Sequence, residues 1–278
     1  MQVLKVDYSA KNAPELFTQS LKDTGFGVLY NHPVDQELID DVYQEWEGFF
    51  ASDYKKRYLF NRETQDGFFP IDVSEKAKGY SEKDLKEYFQ IYPWGLYPAE
   101  LSDKTKRLYQ ALNKVAVTLL KWVEAYSPEY VIKKLSMPLS QMIEDSESTM
   151  LRIIHYPPLT GGEPADAVRA AAHGDINLLT VLVGATASGL QVLDMNNQWY
   201  DVPCDRACLV VNIGDMLEMC TEGTYRSTLH RVINPADSEN ISRLSMPLFL
   251  HPHPEVVLSE KHTAGSFLKE RLIELGVV

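Results

Sequence analysis

Cysteine is scarce. Cys204, Cys208 and Cys220 are the only three in 278 residues, and an odd count supports no disulfide framework. Cys204 and Cys208 stand four apart with no further cysteine nearby, so a closed zinc site lacks its second pair of ligands. Free thiols in a reducing cytoplasm are the expectation. Long apolar runs are absent as well. No 18 apolar residues run together, which excludes a membrane-spanning helix, and the opening MQVLKVDYSAKNAPEL lacks the apolar stretch of a secretory signal. Positive charge is in deficit: 27 Lys and Arg face 39 Asp and Glu, a net charge of −12. Binders of nucleic acid or anionic membrane usually carry the opposite surplus, so neither partner is expected. The one basic run, Lys55-Lys56-Arg57, reads as the solvated face of a short helix. Repeats, low-complexity tracts and Ser/Gly linkers are missing too, so residues 1–278 read as one domain.

What is present falls into two textures. Residues 1–147 read mostly as helix with a few strands. Val3-Leu4-Lys5-Val6 alternates briefly. Asn12 is placed to cap a helix running to Gly25, with Leu16, Phe17, Ser20 and Leu21 inward. FGVLY (26–30) reads as a strand, and Asp35 caps a helix with Leu38, Val42, Trp46, Phe49 and Phe50 on one stripe. The strongest helical period runs over 103–126, through Leu108, Leu112, Val115, Leu119, Trp122, Val123 and Tyr126. Residues 148–258 change period toward two. MLRIIHY (150–156), NLLTVLV (177–183), GLQVLD (189–194), ACLVVNI (207–213), TLHRVI (228–233) and RLSMPLFL (243–250) read as short strands separated by turn residues, the pattern of a sandwich or barrel. Residues 259–278 end in a helix at about 265–275.

The stretch HGDINLLTVLV (173–183) places a polar triplet directly against an apolar run. His173 and Asp175 stand two apart. On a helix that spacing turns them to different sides, whereas on extended chain residues i and i+2 share a face. The two therefore converge on one metal ion if the segment is extended, with Gly174 pointing away. A third ligand must come from elsewhere, and His155, His230, His251, His253 and His262 are the candidates. His230 lies in the strand-like YRSTLHRV. His251 and His253 alternate with prolines in HPHP and read as surface or loop residues. Two His and one Asp leave open positions on an octahedral ion, the set suited to Fe(II).

Thirteen positions after His230 come Arg243 and Ser245, again two apart and again opening an apolar strand. An arginine and a serine on one inward face make a carboxylate clamp, and a buried guanidinium without an anion is costly. The dicarboxylate 2-oxoglutarate fits, its keto-acid end on the iron and its far carboxylate at Arg243.

Taken together, His173-x-Asp175, His230 after 54 intervening residues and Arg243-x-Ser245 resemble the Fe(II)/2-oxoglutarate-dependent oxygenases, within them the isopenicillin N synthase-like family. GFGVLYNH (25–32), LRIIHYPP (151–158), GLQV (189–192), VNIGD (211–215) and the tail TAGSFLKERLIELG extend the resemblance over almost the whole chain in family order. It implies a mainly β fold with flanking helices, a double-stranded β-helix or jelly roll. Residues 1–147 would pack on the barrel, 148–258 carry the metal and 259–278 form the last helix. It implies iron on His173, Asp175 and His230, and 2-oxoglutarate on Arg243 and Ser245, with Tyr156 as a further partner for the same carboxylate. Arg152 and Asn212 lie in matching motifs, where structural roles are equally open. Dioxygen is the implied co-reactant and ascorbate a candidate reductant. The implied reaction hydroxylates, desaturates or cyclises a small molecule with release of succinate and CO2. Iron oxidation with dioxygen alone, and a non-catalytic small-molecule sensor, are the competing readings. Gly174 where many plant members have Thr, the missing Cys-Pro after Tyr156-Pro157-Pro158 and the short chain point to a bacterial-type enzyme. The aromatic-rich segment 66–98 is a candidate pocket wall or lid.

Overall fold

The computed structural model describes residues 2–73, 82–164 and 166–276. Twelve strands lie among them: β1 (Lys5–Asp7), β2 (Phe26–Tyr30), β3 (Gly67–Phe69), β4 (Glu87–Ile91), β5 (Met150–Tyr156), β6 (Ala170–His173), β7 (Leu179–Val183), β8 (Leu190–Leu193), β9 (Trp199–Asp201), β10 (Leu209–Ile213), β11 (His230–Val232) and β12 (Arg243–Phe249). An eight-stranded sheet runs β1-β2-β10-β7-β12-β5-β4-β3, and a four-stranded sheet runs β6-β11-β8-β9. Every pair is antiparallel except β1 with β2. Inner-face residues of the two sheets meet in shared apolar clusters, Phe26 and Val210 with Val192, and Ile154 and Tyr156 with Ala170 and Val232. The architecture is the jelly roll that the family resemblance implied, and it agrees with the sandwich or barrel expected from the strand pattern.

The sequence reading left β3, β4, β6 and β9 without strand assignments. The N-terminal part is therefore not only a helical cap: it supplies β1 to β4, both edges of the large sheet. Its helices cover the outer face. α1 (Ala13–Thr24), α2 (Gln36–Ala51) and α3 (Lys104–Tyr126) pack through Phe17, Trp46, Leu112 and Leu119 against Leu151, Ile153, Val181 and Met246 in one continuous core. This explains the near-continuous apolar texture of LTVLV and LVVNI. Such strands are buried on both faces, one against helices and one toward the interior. Only alternate residues such as Thr180, Leu182 and Asn212 line the interior cavity.

Local chemistry sets the helix ends. Gly25 closes α1 with φ of 75°, and a Cβ there would fall 2.1 Å from Thr228 Oγ1. The Asp35 side chain accepts from the Glu37 backbone N–H at 3.0 Å to start α2. Asn12, in contrast, makes no side-chain cap, and Leu16 is exposed; Pro14 in the first turn and the buried Phe17, Ser20 and Leu21 carry α1 instead. Tyr126, the last residue of α3, is also exposed. The basic run forms a short 3-10 turn over Asp53–Tyr58, where Lys55 pairs with Glu87, Lys56 with Asp53 and Arg57 with Glu100. The last helix, Ala264–Glu274, opens on a reciprocal cap between Thr263 and Ser266. Cys204, Cys208 and Cys220 are free. Among the described residues no helix is long and apolar enough to cross a membrane.

Candidate metal and co-substrate centre

The junction in HGDINLLTVLV is a change of sheet. His173 is the last residue of β6 in the small sheet, and LTVLV is β7 in the large one. Gly174 and Asp175 cross between them. His230 opens β11 and sits directly opposite His173 in the β6–β11 ladder, so the antiparallel register joins residues 57 apart in sequence. Their ring centroids are 4.5 Å apart. His173 Nδ1–H donates to the Ala171 carbonyl at 2.7 Å, and His230 Nδ1–H to that of Thr228 at 3.3 Å. Each ring is thereby held with Nε2 as its free lone pair. Both face Asp175 Oδ1, at 3.9 Å from His173 and 3.7 Å from His230. Ligand atoms bonded to one ion at about 2.0–2.2 Å lie within roughly 4.4 Å of each other, and these two separations fall inside that span. His173, Asp175 and His230 are the one such cluster of His, Cys, Asp and Glu among the described residues.

Asp175 is buried and prepared for a cation. Its Oδ2 accepts from Thr180 Oγ1 at 2.5 Å and Asn212 Nδ2 at 2.8 Å, which leaves Oδ1 to face the histidines. Burial pushes its pKa up, but His230, His173 and these two hydrogen bonds outweigh burial and hold it below the ordinary carboxylate value. Burial drives His230 the other way, down to about 4, so its imidazole is neutral and able to ligate at physiological pH. Gly174 points away as the spacing argument required, toward a tight fit: a Cβ there would come 2.9 Å from Ser227 Oγ. The other candidate ligands lie elsewhere. His155 bridges Glu87 (2.8 Å) and Ser242 (2.9 Å) and stacks on Phe50 at the outer face. His253 Nε2 contacts the Glu144 carbonyl, and His262 lies 3.8 Å from Glu270.

A cavity of about 1110 Å³ extends from this cluster between the sheets. At one end stand Arg243, Ser245 and Tyr156, all lining it and all buried. Arg243 lies opposite Tyr156 in the β5–β12 register, its guanidinium 5.0 Å from the ring centre. Its Nε donates to the Ala187 carbonyl at 3.0 Å, yet its buried NH1 has no hydrogen-bond partner. Among the described residues no carboxylate pairs with it. A guanidinium 2 % exposed without an anion is a costly arrangement in isolation, and it is the signature of a site whose anion is a ligand.

Residues 147–252 match the model of the 2OG-Fe(II) oxygenase superfamily, and residues 7–115 match the N-terminal region of the non-haem dioxygenases of morphine synthesis. A solved structure of a Shewanella oneidensis protein assigned as an oxygenase is 50% identical, with each chain covered in full and a TM-score of 0.90. A Caulobacter crescentus protein assigned to the 2OG-Fe(II) oxygenase family is 31% identical over 98% of both chains, with a TM-score of 0.80. The chain belongs to the 2OG-Fe(II) oxygenase superfamily. Thebaine 6-O-demethylase of Papaver somniferum is 31% identical over 85% of this oxygenase, which spans 65% of the poppy protein's length.

Several residues of the oxygenase escaped the sequence reading. Thr180 fixes Asp175 from the apolar run, where its polarity gave the only signal. Arg169 is buried near Arg243, and burial together with the Arg243 charge lowers its pKa. One of its nitrogens donates to the Ile241 carbonyl and its Nε has no partner, so a second guanidinium adds positive potential at that end. His251 corrects an expectation: it is buried and lines the cavity, not the surface. Parity held the clue, since 243, 245, 247 and 249 all face the cavity and 251 continues the alternation past the end of β12. From the 66–98 segment, Asp84, Lys86, Gln90, Tyr92 and Trp94 form cavity wall, while residues 74–81 lie outside those described.

Asn212→Ala, which strips one hydrogen bond from Asp175, lowers Fe(II) affinity about 10- to 100-fold with little change in thermal stability, as read by anaerobic metal titration. Burial also lowers the pKa of His251, from 6.5 to about 4. Below 6.5 the unfolded chain takes up a proton that the folded chain refuses, so the metal-free protein loses stability as pH falls from 6.5 toward 4. The loss attributable to this group reaches on the order of 3 kcal/mol across that window. His251→Asn flattens it in urea titrations at pH 7 and pH 5, and an unchanged slope refutes the assignment.

Proposed function

We propose that this chain is an Fe(II)- and 2-oxoglutarate-dependent dioxygenase that oxidises a small molecule, in a single domain spanning residues 1–278. His173, Asp175 and His230 are its iron ligands. Arg243, Ser245 and Tyr156 receive the distal carboxylate of 2-oxoglutarate. The observation that carries this reading is the pairing, in one cavity, of a two-His, one-Asp cluster with a buried arginine that has no anion. With only three protein ligands, the cluster leaves positions for exchangeable guests, unlike a closed structural site. Bound there, Fe(II) with 2-oxoglutarate and dioxygen would supply oxidative decarboxylation to succinate and CO2, coupled to oxidation of a substrate C–H bond.

The chain's own residues prepare that chemistry. Asp175 holds a negative charge toward the cation because Thr180 and Asn212 occupy its other oxygen. His173 and His230 turn Nε2 toward the cluster because backbone carbonyls bind their Nδ1–H groups. Arg243 is fixed by its Nε bond to Ala187 and by Tyr156 beneath it, so its free nitrogen meets a carboxylate with little reordering. Ile154, Leu182 and Pro247 wall the space between and exclude water from the reacting groups. Three free thiols support a reducing, cytoplasmic setting, and the acidic balance argues against nucleic-acid or membrane partners.

Succinate formed per dioxygen consumed tests the reading. About one per turnover is expected once a substrate is found, with slow substrate-free succinate release before that. Substrate oxidation without succinate, or no spectral response to Fe(II) and 2-oxoglutarate under anaerobic conditions, refutes it.

A further inference from the structure

The end of the cavity opposite Arg243 also has a polar recogniser. The inward side of β12 carries Arg243 and Ser245 at one end, then Pro247 and Phe249, and reaches His251 just past the strand. His251 is about nine-tenths buried, and its Nδ1 has no hydrogen-bond partner. The backbone beneath it is firmly held. Its carbonyl accepts from Ser146 Oγ at 2.8 Å and Thr149 Oγ1 at 3.3 Å, and its N–H donates to the Phe249 carbonyl at 3.2 Å. A side chain that lines a cavity, rides on a rigid backbone and leaves a buried ring nitrogen without a partner has little structural reason to be polar. An apolar side chain would pack there without that cost.

We propose that His251 reads the prime substrate, its imidazole hydrogen-bonding a carbonyl or carboxylate oxygen and turning the rest of the molecule toward the His173–Asp175–His230 cluster. The proposal rests on the oxygenase reading above. Asp175 and, more weakly, Arg152 both act on His251 through their charges; a cation on the His173–Asp175–His230 cluster would offset the Asp175 charge, and Arg152 on the cavity wall then favours an oxygen acceptor over a donor. The substrate's remaining body is apolar, since Phe26, Leu229, Leu268 and Leu272 line the same cavity. The class that fits is a small organic acid, amide or ketone with an apolar body. His251 acts as a specificity residue at one end while Arg243 holds the co-substrate at the other, so the two carboxylate-type partners do not compete for one site.

The test uses the full chain loaded with Fe(II) and 2-oxoglutarate under anaerobic conditions. The probes are matched small molecules: short aliphatic and aryl carboxylic acids, their amides, and hydrocarbon counterparts lacking the oxygen. Perturbation of the metal-to-2-oxoglutarate absorption band reports their binding, and succinate release in air reports turnover. Acids or amides are expected to perturb the band where their hydrocarbon counterparts do not. His251→Phe raises the concentration required about 30-fold, and His251→Asn, which keeps a hydrogen-bonding group, recovers part of the loss. The affinity for 2-oxoglutarate stays within about threefold in both variants, and the turnover defect lies in KM more than in kcat. Should His251→Phe not fold, His251→Asn and His251→Leu carry the same comparison. The proposal fails if the variants respond to the same compounds at wild-type concentrations, if the hydrocarbons respond equally, or if no acceptor-bearing compound registers. It also fails if 2-oxoglutarate binding is lost together with probe binding, since His251 would then serve the co-substrate. Wild-type protein with no absorption band at all refutes the oxygenase reading itself, so the two failures are distinguishable.

Discussion

Asp175→Ala is expected to cost about 10³-fold in Fe(II) affinity, roughly 4 kcal/mol, and to reduce succinate release by at least as much. Three consequences add up in this one change. The anionic ligand disappears, and with it the negative charge nearest both imidazole nitrogens. Thr180 and Asn212 lose the oxygen they hold, leaving the buried Asn212 amide short of an acceptor and the Thr180 hydroxyl with only Asn177 Oδ1 at 3.3 Å. His230, already pushed down to about 4 by burial, loses the charge that opposed that shift and becomes still harder to protonate. It stays neutral, so the defect is loss of a ligand and not loss of the histidine lone pairs. Asp175→Asn separates these effects. It keeps the shape and some hydrogen bonding but removes the charge, and it should retain a measurable fraction of metal binding with almost no turnover. Isothermal titration with Fe(II) or Co(II) under anaerobic conditions reads the affinity. Binding by Asp175→Ala within about tenfold of wild type would show that the metal lies elsewhere.

Arg243→Met should separate stability from function in opposite directions. The guanidinium is buried, one of its nitrogens has no partner, and a second buried arginine lies near it. Replacing an uncompensated buried charge by an apolar side chain of similar length is neutral or stabilising. The thermal midpoint in the absence of co-substrate should therefore hold or rise. Affinity for 2-oxoglutarate should fall about 10²- to 10³-fold, because a desolvated carboxylate would lose its charge-assisted partner. Adding saturating 2-oxoglutarate should raise the wild-type midpoint and leave that of the variant almost unmoved. A variant that loses stability yet binds 2-oxoglutarate normally would make Arg243 a structural residue, and the cavity would then need another anion site.

Much of this centre could be read from the chain alone, for physical reasons specific to the residues. His173 and Asp175 are two apart, so their convergence depends only on local backbone geometry, which a two-residue spacing and a neighbouring Gly report directly. Arg243 and Ser245 share a face by strand parity, and an arginine opening an apolar strand must find an anion. The helix limits at Asp35 and Gly25 are likewise local, since caps and left-handed turns involve neighbours in sequence.

What the residues alone left open, with His230 assigned only through the family resemblance, depends on register between distant segments. Nothing local distinguishes His230 from His155, because both lie on strands. Only the pairing of β11 with β6 brings His230 opposite His173, while the face His155 occupies turns it to Glu87, Ser242 and Phe50. The same holds for Thr180 and Asn212, joined at Asp175 by the β7–β10 pairing, and for Arg169, whose neighbour Arg243 is 74 positions away. His251 looked like a loop residue because its prolines broke the strand pattern, and burial is a property of what packs around a residue rather than of the residue itself. Short-range geometry thus wrote the ligand types and their spacing into the chain. Long-range strand pairing chose which histidine completes the set, because hydrogen-bond register between strands is decided only when the whole core closes.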